Sequence, residues 1–274
     1  MAALVVGSAL ALPAITEARE PVDVTLVLAV DVSRSMSARE LRIQRDGYAA
    51  ALAHPDFLSA VQMGAYGRVA ITMFEWAGTG FVRQVFDWTL VENRADVQRL
   101  SEIIGRSDPV PQRRTSISGA IAHGLARLEA SPFAGFRQVI DISGDGPNNQ
   151  GGAVLEARAR ALERKVIING LPMMTREGPG RGFNIADLDV YYANCVIGGP
   201  GSFLVPVTRW EQFPEAIRRK LILEIGGMTP PRLRIIRTQA LETRPLPNPD
   251  GSYDCLIGEK IWEQRQWMFD DRLP

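Results

Sequence analysis

The chain has 274 residues, 46% of them hydrophobic, and its 31 basic side chains are matched by 31 acidic ones. That length can bury one substantial core, and a charged fraction of 23% with 25 Gly and 18 Pro excludes a wholly disordered or collagen-like chain. A formal charge of zero removes the global field that would make nucleic acid or an anionic membrane the first partner to consider, so no nucleic-acid function is expected.

Residues 1–20 read as a signal peptide or an N-terminal anchor. Met1 to Ile15 is short and apolar, and Thr16-Glu17-Ala18 offers small residues at a cleavage site, although the positively charged start of a secretory signal is missing. A misplaced start codon would account for the same run. Export predicts a periplasmic or secreted protein; retention predicts one anchored to the inner membrane by its N terminus. No later apolar run is long enough to span a bilayer. Cys195 and Cys255 can form at most one bridge, which needs an oxidising compartment.

Val24 to Val30 is almost continuously apolar, as suits a parallel strand covered on both faces. The loop Asp31 to Ser37 follows, then a helical pattern to about Ala53 opened by the capping-box spacing of Ser37 and Glu40. Val69 to Trp76, the turn Gly78-Thr79-Gly80 and Phe81 to Trp88 predict a hairpin that adds one antiparallel edge strand. A helix begins near Thr115 and runs through Ala120, Ile121, Leu125 and Leu128. Phe136 to Ser143 is a strand closed by Gly144-Asp145-Gly146, and Val154 to Arg164 is its helix. Lys165 to Asn169 and Phe203 to Val207 are the fifth and sixth strands; Thr208 and Glu211 repeat the capping spacing before a helix that ends at Gly226-Gly227.

This alternation predicts an α/β fold over residues 21–227: three-layer, doubly wound, with a mostly parallel six-stranded sheet and one antiparallel edge strand. Residues 228–274 form a Pro-rich extension, which either docks back through Trp262, Trp267 and Phe269, with Cys255 as a tie, or stays exposed to bind a partner.

Asp31, Ser33 and Ser35 stand at alternate positions directly after the first buried strand, Thr115 precedes a helix, and Asp145 follows the fourth strand. In a parallel sheet these strand exits gather at one edge, where ligands bind. One or two carboxylates with several hydroxyls suit a hard cation such as Mg²⁺. Asp141 and Asn148 are candidates for a supporting shell; Asp141 also competes with Asp145, and an ordinary polar loop explains Asn148 as well. Glu75 and Trp76, at a strand end, are candidate binding residues, with packing the better account of Trp76.

Asp31-x-Ser33-x-Ser35, with Thr115 and Asp145 in this order, resembles the von Willebrand factor type A domain and its metal-ion-dependent adhesion site. The resemblance covers roughly Pro21 to Gly227. It implies that Asp31, Ser33 and Ser35 form the core of a Mg²⁺ or Mn²⁺ site, that Thr115 is a direct or conformation-dependent ligand, and that Asp145 coordinates directly or through water. That family often has Thr-Asp-Gly at the fourth-strand exit, where this chain has Ser143-Gly144-Asp145-Gly146. Tyr191-Tyr192, Cys195 to Gly201 and Lys220 to Ile225 match more narrowly a bacterial exported family of unknown function (DUF1194-like). The resemblance implies a cation-dependent protein-binding module of the bacterial envelope, recognising an acidic side chain through an open metal position.

Two rival classes stand beside it. A Mg-dependent phosphoester hydrolase lacks a catalytic set: the second Asp of the aspartyl-phosphate signature is missing, Gly178 to Gly182 lacks the Lys and Ser/Thr of a Walker loop, and Ser116-Ile117-Ser118-Gly119 is no nucleophile elbow. A metal-free structural domain would require all five oxygen-bearing residues to be incidental.

Overall fold

The computed structural model describes residues 18–175, 185–227 and 252–265. The elements run in the order β1 (Glu20–Asp31), α1 (Ala38–Ala53), α2 (Pro55–Gln62), β2 (Val69–Trp76), β3 (Val82–Val91), α3 (Arg94–Arg106), α4 (Ile117–Glu129), β4 (Phe133–Gly144), α5 (Val154–Glu163), β5 (Ile167–Pro172), α6 (Leu188–Tyr191), α7 (Phe213–Gly226) and α8 (Ile257–Arg265). A π-helical turn, Tyr192–Val196, continues α6, and a 3₁₀ turn, Trp210–Gln212, leads into α7.

The sheet order is β3-β2-β1-β4-β5. β1 lies at the centre, parallel to β2 and β4, while β3 returns antiparallel to β2 through the expected hairpin. Alternation along β1 sends Leu26, Leu28 and Val30 to one face, under α1, α3 and α7, and Val27 and Ala29 to the other, under α4, α5 and the π turn. Burial on both faces is why this strand reads as an unbroken apolar run.

Among the described residues the sheet has five regular strands rather than six. Phe203 to Val207 does run beside β5, bonded from Gly170 N to Phe203 O and from Val207 N to Pro172 O, but it makes only isolated parallel bridges. Pro172 has no N–H to donate between those bonds, and Pro206 leaves the outer edge without a donor, so a continuous ladder cannot form.

Local signals hold unevenly. Ser37 and Glu40 form the reciprocal capping box that opens α1. Thr208 and Glu211 do not form one: the 3₁₀ turn intervenes, and the Thr208 hydroxyl instead donates to Gln212 Oε1 at 3.1 Å. Gly227 ends α7 at φ 63°, a left-handed cap that favours glycine. The apolar N terminus (1–17), the Gly-rich segment 178–182, and Trp267 and Phe269 lie outside the described residues. Among the described residues no helix is long and apolar enough to cross a membrane.

Candidate functional site

The strand period decides which residues reach the site. Asp31 ends β1 with the parity of Val27 and Ala29, and Gly144 ends β4 with the parity of Ile140 and Ile142, so the two share the face covered by α4. Their proximity needs the glycine: a methyl on Gly144 would stand 3.1 Å from Asp31 Oδ2 and 2.8 Å from the Tyr192 hydroxyl.

After β1 the chain folds back on itself. Ser33 N donates to Asp31 Oδ1 at 2.7 Å, and the Ser33 and Ser35 hydroxyls are 2.7 Å apart. Both reach across to the loop after β4: Ser35 Oγ donates to Asp145 Oδ1 at 2.6 Å, and Ser33 Oγ lies 3.4 Å from the same oxygen. Four of the five predicted residues are therefore tied into one cluster of oxygens.

Thr115 is brought alongside by its main chain. Gln112 N donates to Val32 O and Arg34 N to Gln112 O, which stitches the loop before α4 to the first loop. Thr115 N donates to Asn149 Oδ1 at 2.9 Å, and Asn149 N donates back to Thr115 O at 2.9 Å, which stitches it to the third. Thr115 is buried.

The electrostatics are unusual for an interior. Asp31 and Asp145 are both buried, and among the described residues neither has a basic group within ion-pair distance. Burial holds the Asp31 carboxyl well above the ordinary range, and the neighbouring Asp145 raises it further, against the Ser33 hydrogen bonds. Burial pushes Asp145 up to about 6, with the Ser35 hydrogen bond opposing the rise and Glu40 adding to it. Among the described residues Asp31 Oδ2 has no hydrogen-bond partner, and an orphaned buried carboxylate oxygen is costly. Two carboxylates, neutral hydroxyls and that orphan are hard oxygen donors of the kind that suits a divalent cation. No group of three or more His, Cys, Asp or Glu stands together among the described residues, so any cation here depends on hydroxyls.

Asp141 does not join this cluster. It has the parity of Val139 and faces α7, on the opposite side of the sheet from Asp31. There Lys220 Nζ lies 2.6 Å from Asp141 Oδ1 and also pairs with Glu224, all three side chains fully buried. Glu75 likewise turns inward, paired with Arg45 and Arg83, and Trp76 is buried beside Gly144. His123 packs edge-on against Phe74, its ring centroid 4.6 Å away.

Asn148 has a supporting place. Its Oδ1 accepts from Ser118 N at 3.0 Å, its Nδ2 donates to Glu259 Oε1 at 2.6 Å, and its N–H donates to the Tyr191 hydroxyl at 3.1 Å. Glu259 lies on α8, a helix that periodicity did not mark. Cys195 in the π turn is bonded to Cys255, just ahead of α8, with Cα atoms 5.5 Å apart. On the same segment, Trp262 lies under the Arg114 guanidinium, 3.2 Å from the ring centroid. The sequence singled out both cysteines and Trp262, but nothing in it joined them to the loops of Thr115 and Asp145.

With this geometry in place, comparison with known proteins is informative. A family profile described as a protein of unknown function, DUF1194, matches residues 21–229. The chain belongs to that family. No curated protein matches it significantly. Among solved structures, this DUF1194 chain is similar to proximal thread matrix protein 1 from the mussel byssus, described with a zinc-occupied MIDAS motif. The TM-score is 0.53 at 14% identity, covering 74% of this chain and 46% of that one. It is also similar to the pilus adhesin SpaC from Lactobacillus rhamnosus GG, with a TM-score of 0.54 at 15% identity, covering 75% and 30%. A von Willebrand factor type A protein from Catenulispora acidiphila gives 0.52 at 14% identity, covering 75% and 43%. The fold is that of a von Willebrand factor type A domain, and this chain spans less than half the length of each of these three proteins.

Proposed function

We propose that this DUF1194 protein is a divalent-cation-dependent protein-binding module, in which Asp31, Ser33, Ser35, Thr115 and Asp145 surround Mg²⁺ or Mn²⁺. The observation that carries the reading is the pair of buried carboxylates, Asp31 and Asp145, with an orphaned oxygen and no basic partner among the described residues. An interior normally pairs such charges. In the mussel protein of the same fold, a MIDAS motif is occupied by zinc.

Bound there, a cation supplies positive charge and an exchangeable coordination position. The chain's own residues would do the rest. Asp31 and Asp145 set the charge, the serine hydroxyls add neutral oxygens, and Asn149 and Asn148 hold the outer loops in register. With two carboxylates the site is formally neutral rather than anionic, so its exchangeable position stays open to an acidic side chain of a partner protein. The disulfide between Cys195 and Cys255 suits a periplasmic or secreted location, whether free or held at the inner membrane by the N terminus.

Calorimetric titration of the full chain with Mg²⁺ and Mn²⁺, against Asp31→Ala, tests the reading, with circular dichroism to confirm folding. The expected result is saturable binding to the wild type and its loss in the variant. No binding to the wild type defeats the metal site; equal affinity in Asp31→Ala removes Asp31 from it.

A further inference from the structure

Two carboxylates on the three loops that carry the oxygen cluster, Asp31 and Asp145, are buried. A third, Asp108, is exposed farther up the loop before α4, where it lies near Arg83 and Arg45. The remaining charges are Arg34, between the two serines, and Arg113 and Arg114, directly before Thr115. Arg34 and Arg113 are exposed and Arg114 is half-buried. The residues 145–150 add no further charge beyond Asp145 itself.

These arginines share one side of the rim. Arg34 N donates to Gln112 O at 2.7 Å, and Arg34 Nε lies 3.5 Å from Pro111 O, so its side chain runs along the loop that leads to Arg113 and Arg114. Among the described residues no carboxylate is within ion-pair distance of any of the three. Elsewhere on the surface some arginines find acids, as Arg99 finds Asp96 and the half-buried Arg218 finds Asp56 and Glu215, and others, such as Arg42 and Arg160, find none among the described residues. Arg114 is held in place: its backbone stands at φ 73°, and its guanidinium is stacked on Trp262 of the disulfide-tied segment. Apolar surface adjoins the group at Val110.

We infer that this rim recognises a run of acidic residues in a polypeptide: one carboxylate completes the cation's shell, and neighbouring Asp or Glu side chains lie against Arg34, Arg113 and Arg114. This rests on the cation-dependent reading and specifies its partner. A guanidinium fork matches a carboxylate in a bidentate manner. Uncompensated arginines beside an open coordination position favour several negative charges over one. The exposed Val110 suits the apolar stems and neighbours of peptide side chains better than a polyuronate.

The test uses the full chain with saturating Mn²⁺ at low salt, and two capped Gly/Ser nonapeptides labelled for anisotropy. One carries a single central Asp and the other four alternating Asp residues. The four-Asp peptide should bind roughly tenfold tighter, and chelation should abolish both. In the double variant Arg34→Gln, Arg113→Gln the two peptides should become equal, with the Mn²⁺ titration and single-Asp affinity unchanged. Equal binding in the wild type, no peptide binding with Mn²⁺ in place, or a preference that survives the double variant overturns the inference. Tighter binding of tetragalacturonate than of the four-Asp peptide overturns the choice of partner. Absence of Mn²⁺ binding, seen in the metal titration alone, is instead a failure of the underlying reading.

Discussion

The metal-free protein should become more stable when part of its site is neutralised. Asp145 is raised from 3.8 to about 6 because burial disfavours its charge. A carboxyl raised on folding contributes stability that is fully present below its ordinary value and lost as pH rises through about 6. At pH 8 that loss is about 3 kcal/mol, from roughly two pKa units at ~1.4 kcal/mol each. Asp145→Asn removes the charge while leaving an oxygen to accept from Ser35. In chelator at pH 8 the variant should therefore melt higher, by roughly 6–10 °C for a domain of this size. Its advantage should shrink at pH 5. Added Mg²⁺ should raise the melting temperature of the wild type and leave the variant unmoved, reversing their order as the site fills. Scanning calorimetry in both conditions reads all of this. A variant no more stable than wild type at pH 8, or more advantaged at pH 5 than at pH 8, would refute the argument that the buried carboxylate is a liability without its cation.

Glu224, pushed up to about 7 by burial and by Asp141 against the pull of Lys220, makes the same argument on the other face of the sheet. Its stability is present below about 4.5 and lost as pH rises through about 7. Glu224→Gln should flatten the pH profile of chemical denaturation and exceed wild type by a few kcal/mol at pH 8; an unchanged slope between pH 5 and 8 counts against it. Ser37→Ala removes the capping box of α1 and should cost about 1 kcal/mol in urea unfolding. Cys195→Ser opens a closure spanning 60 residues and should cost up to about 4 kcal/mol by chain entropy. Limited proteolysis should then cut near Cys255 first, which intact resistance would contradict.

How far the sequence could be read follows from how local each determinant is. β1 was visible because both its faces are buried, and α1 because its capping box lies within four residues. Asp31, Ser33, Ser35, Thr115 and Asp145 were visible because every one sits at a strand exit or helix entrance, where parallel topology forces convergence. Asp141 was ambiguous for the opposite reason: it shares the alternation parity of Asp145, and only the end of β4 at Gly144, beyond which the chain turns out of the strand, separates the two. Lys220 and Glu224 drew notice only as part of a family match, since a buried ion pair is a long-range event carrying no periodic signal. The sixth strand failed because Pro172, on its neighbour, removes the donor it needed. α8 was hidden in a Pro-rich context, and its place beside Asn148 follows from a disulfide that spacing alone cannot assign.

That last placement bears on biosynthesis. Gly258 sits so close to the Asn148 carbonyl that a methyl there would collide with it, and Glu259 and Trp262 take up partners on two of the three loops. A ribosome-bound chain lacking these residues already contains all five described strands and all five oxygen-bearing residues, yet its rim is unfinished. The contacts that complete the second and third loops therefore come last in the chain, on the segment tied down by the Cys195–Cys255 bond.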